Sequence, residues 1–205
     1  MKTKLLFRLV GGFVCAFFLS LIAGKTIGQS PVNQATLTAI LEGNQVFIQE
    51  KQAKLKDTAR RNQQVRTGMA RAELTFDNKA IARLSKNTRF TVGECGVQLQ
   101  QGTALISGTS ACTRGVTAAV RGTTYLLTVN DNGTEEYEVL EGAVDFSKTS
   151  QEDPHKWSMD GGDRCILEPD RKGVIREKLS RGEYTRRLRG WLFAVLKRMK
   201  NASIG

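Results

Sequence analysis

Residues 114–146 read RGVTAAVRGTTYLLTVNDNGTEEYEVLEGAVDF, and this stretch decides the fold. Every second residue is apolar through Val116, Ala118 and Val120, again through Tyr125, Leu127 and Val129, and again at Tyr137 and Val139. A period of two places those side chains on one face of an extended chain, the pattern of a strand with one side buried. Asn130-Asp131-Asn132-Gly133 supplies the turn between the central pair, because Asn-Gly tolerates a positive φ and can close a hairpin. Gly115, Gly122 and Gly142 stand at the ends of the apolar runs, where bends or close backbone approaches are needed. The stretch therefore predicts three or four short strands joined by tight turns. It holds no nucleophile, base or metal cluster.

The same rhythm extends in both directions. Upstream, Ala35, Leu37, Ala39 and Leu41 lead through Glu42-Gly43-Asn44 to Val46 and Ile48. Ala70, Ala72, Leu74 and Phe76 alternate, turn at Asp77-Asn78 and continue at Ala82 and Leu84; Phe90, Val92, Val97, Leu99, Ala104 and Ile106 follow. Residues 51–64 are polar and read as a loop. Downstream of Phe146, residues 156–159, 165–167 and 174–175 read as strands that finish the sheet, with Trp157 as a core plug. Short strands at this spacing predict an all-β domain, a twisted antiparallel sandwich or a β-roll of solenoid type; periodicity does not choose between them.

At residue 180 the period changes from two to 3.6. Ser180 and Glu183 form a capping box, in which the hydroxyl accepts from the third helical amide and the carboxylate reaches back. Leu179 and Tyr184 occupy the positions of a hydrophobic staple. Tyr184, Leu188, Trp191, Leu192, Val195, Leu196 and Met199 then form one apolar stripe. Arg186, Arg187, Arg189, Lys197 and Lys200 fall on the other side with Phe193 as the exception, and Gly190 weakens the helix by about 1 kcal/mol. This basic amphipathic helix over 180–200 either caps the sheet of its own domain or contacts a membrane surface or partner through Arg186, Arg187, Arg189, Trp191, Phe193, Lys197 and Arg198.

Several pieces also carry a family resemblance. V-T-A-A-V-R-G-T-T-Y at 116–125 and V-L-E-G-A-V-D-F at 139–146 are preceded by V-R-T-G-M-A-R-A-E-L at 65–74, L-S-K-N-T-R-F at 84–90 and L-Q-Q-G-T-A at 99–104. In order and spacing these resemble the FecR family, the periplasmic regulators of ferric-citrate-type iron signalling, over residues 36–148. The resemblance implies an all-β periplasmic domain that binds protein partners, with residues 149–179 as an extension of it. Arg66, Thr67, Gly68, Arg121, Gly122, Thr123, Glu141 and Gly142 are its structural motif positions. Arg121 and Glu141, beside the glycine bends, read as a salt bridge or backbone clamp. The chain departs from those regulators in two respects. Only eight residues precede the first apolar run, too few for a segment that grips a sigma factor, and the C-terminal receptor-docking module is not recognisable.

That apolar run, Leu9–Gly24, follows Lys2, Lys4 and Arg8 and is closed by Lys25. Its sixteen residues reach about 24 Å as a helix, short of the roughly 30 Å hydrocarbon core. Residues 1–28 therefore read as a signal peptide or, failing cleavage, an N-terminal anchor, and place the remainder outside the cytoplasm. The net charge of +11 is uneven: residues 1–28 hold four cations and residues 171–205 a net +9, leaving −2 on the body. A near-neutral exported body excludes a dedicated nucleic-acid binder.

Outside the leader stand Cys95, Cys112 and Cys165, Cys15 being apolar filler within it. Cys95 and Cys112 flank an expected hairpin around Gln101-Gly102, so they form either a disulfide or two buried thiols. No CxxC spacing exists and His155 is the single histidine, so no metal or cofactor is implied. Asn130, Asp131, Asn132 and Glu135 lack the spacing of a calcium loop. Asp160, Asp163 and Glu168 read as turn acids rather than paired catalytic carboxylates. The sequence thus predicts an exported, non-catalytic FecR-like protein-interaction domain with a regulatory or scaffolding role in the cell envelope. Its alternatives are a carbohydrate- or peptidoglycan-binding module and a partial regulator of iron-uptake-type signalling.

Overall fold

The computed structural model describes residues 32–93, 95–148, 155–169 and 173–202, without the side chains of Arg121 and of residues 192–202. Residues 1–28 with Cys15, read as a signal peptide or N-terminal anchor, lie outside the described residues. Among the described residues fifteen strands form one hydrogen-bonded network, and one helix follows. In chain order the first eight strands are β1 (Gln34–Leu41), β2 (Val46–Ile48), β3 (Lys51–Gln52), β4 (Thr58–Arg60), β5 (Gln64–Thr67), β6 (Arg71–Phe76), β7 (Ile81–Leu84) and β8 (Arg89–Gly93). Then come β9 (Gly96–Ser107), β10 (Ala111–Cys112), β11 (Val116–Val129), β12 (Glu135–Lys148), β13 (Lys156–Asp160), β14 (Asp163–Leu167) and β15 (Ile175–Lys178), with α1 (Arg181–Ala202) last.

The chain is all-β with one C-terminal helix, and three long strands organise it. The residues expected to form three or four short strands form two, β11 and β12, paired antiparallel around the Asn130–Gly133 turn. Gly122 and Gly142 do not end strands. They bend them, with φ of +57° and +77° and a register shift between Arg121 and Tyr125. A Cβ on Gly142 would stand 2.9 Å from the Gly122 carbonyl oxygen, so the two bends nest only because Gly142 lacks a side chain. Gln101-Gly102 is likewise not a hairpin. Gly102, with φ +87° and Thr88 Cα 2.7 Å from where its Cβ would be, bends β9 in mid-strand.

Each bent strand passes from one layer to the other. The later half of β9, the later half of β11 and the early half of β12 lie in the layer β4-β1-β6-β7-β9-β11-β12-β14-β15. Their other halves lie in the layer β3-β2-β5-β8-β9-β10-β11-β12-β13. Pairing is antiparallel except between β9 and β10. Two stacked layers joined by strands that cross between them combine the sandwich and the roll.

The side chains at every second strand position meet between the layers. Leu37, Leu74, Ile106, Tyr125, Leu127 and Tyr137 come from the first layer and Val65, Phe90, Leu99, Ala118 and Phe146 from the second, all at 2 % exposure or less. Burying each large apolar side chain stabilises the fold by about 1.5–3 kcal/mol. Tyr137 meets Phe146 edge to face at 4.9 Å and Phe146 stacks on Trp157 at 5.1 Å between ring centroids, so Trp157 plugs one end of the core. Residues 51–64, read as a loop, contain β3 and β4; their apolar contribution is only Ala53 and Ala59, both buried and too small to signal a strand.

Candidate interaction surface

The first layer has a second apolar patch, on the face turned away from the core. Leu105 of β9, Leu126 of β11 and Leu140 of β12 form it, each out of step with the inward positions of its strand and each no more than 5 % exposed. What covers them is α1. Leu179, Tyr184, Leu188 and Trp191 pack on the patch. The capping box fixes where the helix starts: the Glu183 amide donates to Ser180 Oγ at 3.2 Å and the Ser180 amide to Glu183 Oε2 at 3.0 Å. The Ser180 hydroxyl's hydrogen bond holds the Glu183 carboxyl below its usual range. Leu179 and Tyr184, the expected staple pair, both rest on the leucine patch, and the Tyr184 hydroxyl donates to the Leu140 carbonyl at 2.7 Å.

Charged groups lock the same contact. Arg187 approaches Glu138 of β12 through two nitrogens, Nε to Oε2 at 2.8 Å and Nη2 donating to Oε1 at 2.9 Å. Glu138 is 2 % exposed; burial pushes its carboxyl up and the neighbouring Glu136 adds to that, against the pull of Arg187. Arg164 of β14 sits 2.7 Å from Glu136 and bridges on to Glu177 of β15. Arg187 makes its pair with Glu138 with 46 % of its side-chain surface still exposed, so it reaches the sheet and solvent at once. Trp191 is placed differently. It lies half-buried beside Ala39, Leu41, Arg83 and Leu84 rather than on the outward surface.

The outward surface of α1 is basic. Arg181, Arg186 and Arg189 are exposed and, with Gly182, Thr185 and Gly190, line a shallow open groove along the helix. Of the remaining residues assigned to this surface, Phe193, Lys197 and Arg198 have side chains outside those described. Among the described residues no helix is long and apolar enough to cross a membrane.

The motif residues turn out to be joints. Thr67 is buried; its hydroxyl donates to the Ser85 carbonyl at 2.7 Å and accepts the Thr88 amide at 2.9 Å, tying β5 to the turn before β8. The Gly68 amide donates to the Gln45 carbonyl at 2.8 Å, and a Cβ there would stand 2.3 Å from Gln45 Oε1. Arg66 lies over the Phe47 ring at 4.2 Å and 3.9 Å from Glu50. Together with Arg89 and Gln101 these three residues line a shallow hollow. At the other motif, the Thr123 hydroxyl donates to the Ala143 carbonyl at 2.6 Å across the paired bends. Glu141 is exposed beside them, and the Arg121 side chain with which it was paired lies outside the described residues.

Cys95 and Cys112 are joined in a disulfide with Cα atoms 5.9 Å apart. The parallel pairing of β10 with the start of β9, Ala111 opposite Val97, brings them together rather than a hairpin. Cys165 is a buried free thiol, pushed up to about 12 by burial. It lies opposite Tyr137, next to a polar cluster that sequence reasoning missed. There the Thr113 hydroxyl donates to Glu135 Oε2 at 2.7 Å, the Tyr137 hydroxyl donates to the same oxygen at 3.2 Å, and burial raises the Glu135 carboxyl. The signal was Glu135 itself, an acid on the inward parity of Tyr137 and Val139.

The other charged candidates are engaged locally. The Asp160 amide donates to Asp163 Oδ2 at 3.0 Å within a turn, and Asp131 accepts from Gln101 Nε2 at 2.8 Å. His155 is exposed and stacks on Trp157 at 5.7 Å. A cleft lined by Glu42, Arg71, Lys86, Asn87 and Gln101 among others is open, and its central carboxylate Glu42 is paired with Arg71 and Lys86. Among the described residues no group of three metal-ligating side chains converges.

No protein-family model matches the chain, and no curated protein does. Two solved structures from Parabacteroides distasonis, each described as a "putative anti-sigma factor", are similar to it. The first has a TM-score of 0.52 at 11 % identity, covering 62 % of this chain and 65 % of its own. The second has a TM-score of 0.49 at 11 % identity, covering 57 % and 60 %. The chain thus spans just under two thirds of the first neighbour's length. At this identity the likeness is one of fold alone.

Proposed function

We propose that this chain is an exported, non-catalytic FecR-like domain that works by binding another protein of the cell envelope, in a regulatory or scaffolding role. The sequence pieces at 65–74, 84–90, 99–104, 116–125 and 139–146 support the family reading, because they fall on the bends and joints that hold the two layers together. The fold-likeness to a protein described as an anti-sigma factor supports a regulatory role. The observation that carries the reading is the division of α1 into two sides. As far as Trp191, its apolar side is occupied by its own sheet, so Trp191 cannot enter a bilayer interface without undocking. Among the described residues its outward side is basic, with Arg181, Arg186 and Arg189 exposed, suited to an acidic protein surface.

The test is photo-crosslinking in living cells, with a benzophenone amino acid at Arg186 or at Arg189 of the full chain and cell fractions separated afterwards. A discrete, light-dependent adduct in the envelope fraction that disappears in an R181E/R186E/R189E background is the expected result. A chain confined to the cytosol, or helix positions that give no adduct, would refute the proposal.

A further inference from the structure

We infer that β13 is a self-association edge, through which two copies of this chain join their second layers across a two-fold axis. The second layer ends at β13, which pairs on one side with β12 and with no other described strand. The hydrogen-bond phase of that pairing is set at both ends. The Lys148 amide donates to the His155 carbonyl and the Gly161 amide to the Gly142 carbonyl, both at about 3 Å. In an antiparallel ladder such pairs alternate with pairs whose groups point the other way. Trp157 and Met159 therefore direct their amides and carbonyls to β12, while Lys156, Ser158 and Asp160 direct theirs outward. The Asp160 amide is satisfied within its turn by Asp163. The outward groups of Lys156 and Ser158 and the carbonyl of Asp160 form a template for another strand.

The side chains specify which strand fits. Antiparallel pairing about a two-fold axis at Ser158 sets Ser158 opposite its own copy. Lys156 then lies opposite Asp160 of the second copy, and by symmetry the reverse holds. Directly opposed unlike charges favour a strand pair and like charges oppose it. Ser158 exchanges both its backbone bonds with its copy, and each Lys156 amide donates to the other Asp160 carbonyl. Trp157 and Met159 stay in the core, where both are at most 5 % exposed.

The other edges lack this self-complementarity. On β15, an axis at Glu177 sets Arg176 against Lys178 of the second copy, and an axis at Arg176 sets Ile175 against Glu177. On β4, an axis at Ala59 opposes Thr58 to Arg60, and β3 has two residues. A single short strand pair makes a small interface, so association is weak and symmetric.

The test is sedimentation equilibrium of the full mature chain from about 10 µM to about 1 mM, the range of weak association. The expected result is a reversible rise from monomer to dimer mass. K156D, which opposes two pairs of aspartates, weakens the dimer by about tenfold. S158P, which removes the outward amide while an edge position tolerates proline, does the same. Both variants keep the circular dichroism spectrum of the parent. The exchanged pair K156D/D160K, when it folds, restores the association. A chain that stays monomeric throughout the range, or K156D and S158P variants that associate like the parent, would overturn the inference. A folded K156D/D160K protein as weak as K156D would also overturn it, because the register would then be wrong.

Discussion

Glu135 shows what a single carboxyl does inside a β-domain. It accepts hydrogen bonds from Thr113 and Tyr137, yet burial still raises its proton affinity. A raised native value means the folded state binds the proton more readily than the unfolded chain does. The stability this contributes is full below the ordinary carboxylate range and is lost as pH rises through the native value. Glu135→Gln keeps an oxygen acceptor for both hydroxyls and removes the charge. The variant should unfold at higher denaturant concentration than the parent at pH 7, with the difference closing near about pH 4, where the parent is protonated. A parent more stable than the variant at pH 7 would mean that the ionised form is the one the cluster favours. The residue was visible beforehand as an acid on the inward parity, but its partner Thr113 lies 22 positions away and periodicity does not pair residues across such a distance.

At the scale of the element, α1 is where local rules and tertiary contacts can be separated. Ser180 and Glu183 make the cap that their spacing announced, and those contacts are confined to residues 180–183. Ser180→Ala should cost about 1 kcal/mol. Gly190 is exposed, with nothing within 4 Å of where its Cβ would be, so Gly190→Ala should gain up to about 1 kcal/mol through helix propensity alone. Thermal unfolding of the two variants, read against the parent, checks both signs. The apolar stripe was equally visible in the sequence. Its destination was not, because Leu105, Leu126 and Leu140 sit on the outward parity of strands whose inward positions are already apolar. Arg187 was grouped with the outward cations, and only the docked helix reveals Glu138 beneath it.

For the whole molecule, the disulfide and the three bent strands decide cooperativity. The Cys95–Cys112 bridge closes a 17-residue separation within which β9 changes layer. Removing it as C95S/C112S should lower stability by about 3 kcal/mol on the chain-entropy account. Cys165, buried with its thiol pushed up to about 12, should resist alkylation in the native protein and react once the chain unfolds. Denaturant titrations of parent and double variant, followed by thiol labelling, measure both. A loss well under 1 kcal/mol would mean that the β9–β10 pairing holds the loop closed without the bond.

The sequence by itself determined the all-β class, most strand positions, the Asn130–Gly133 turn, the helix and its cap, because alternation, turn chemistry and capping act over a few neighbouring residues. It marked Gly102, Gly122 and Gly142 as special, and at Gly102 and Gly142 a Cβ would press on neighbouring backbone. The tertiary structure alone decided that these glycines bend continuous strands between two layers and that β10 runs parallel to β9. It also decided that α1 closes an outward apolar patch. Those outcomes depend on which distant strands pair, and strand pairing is settled by burial summed over the whole core rather than by any local run of residues.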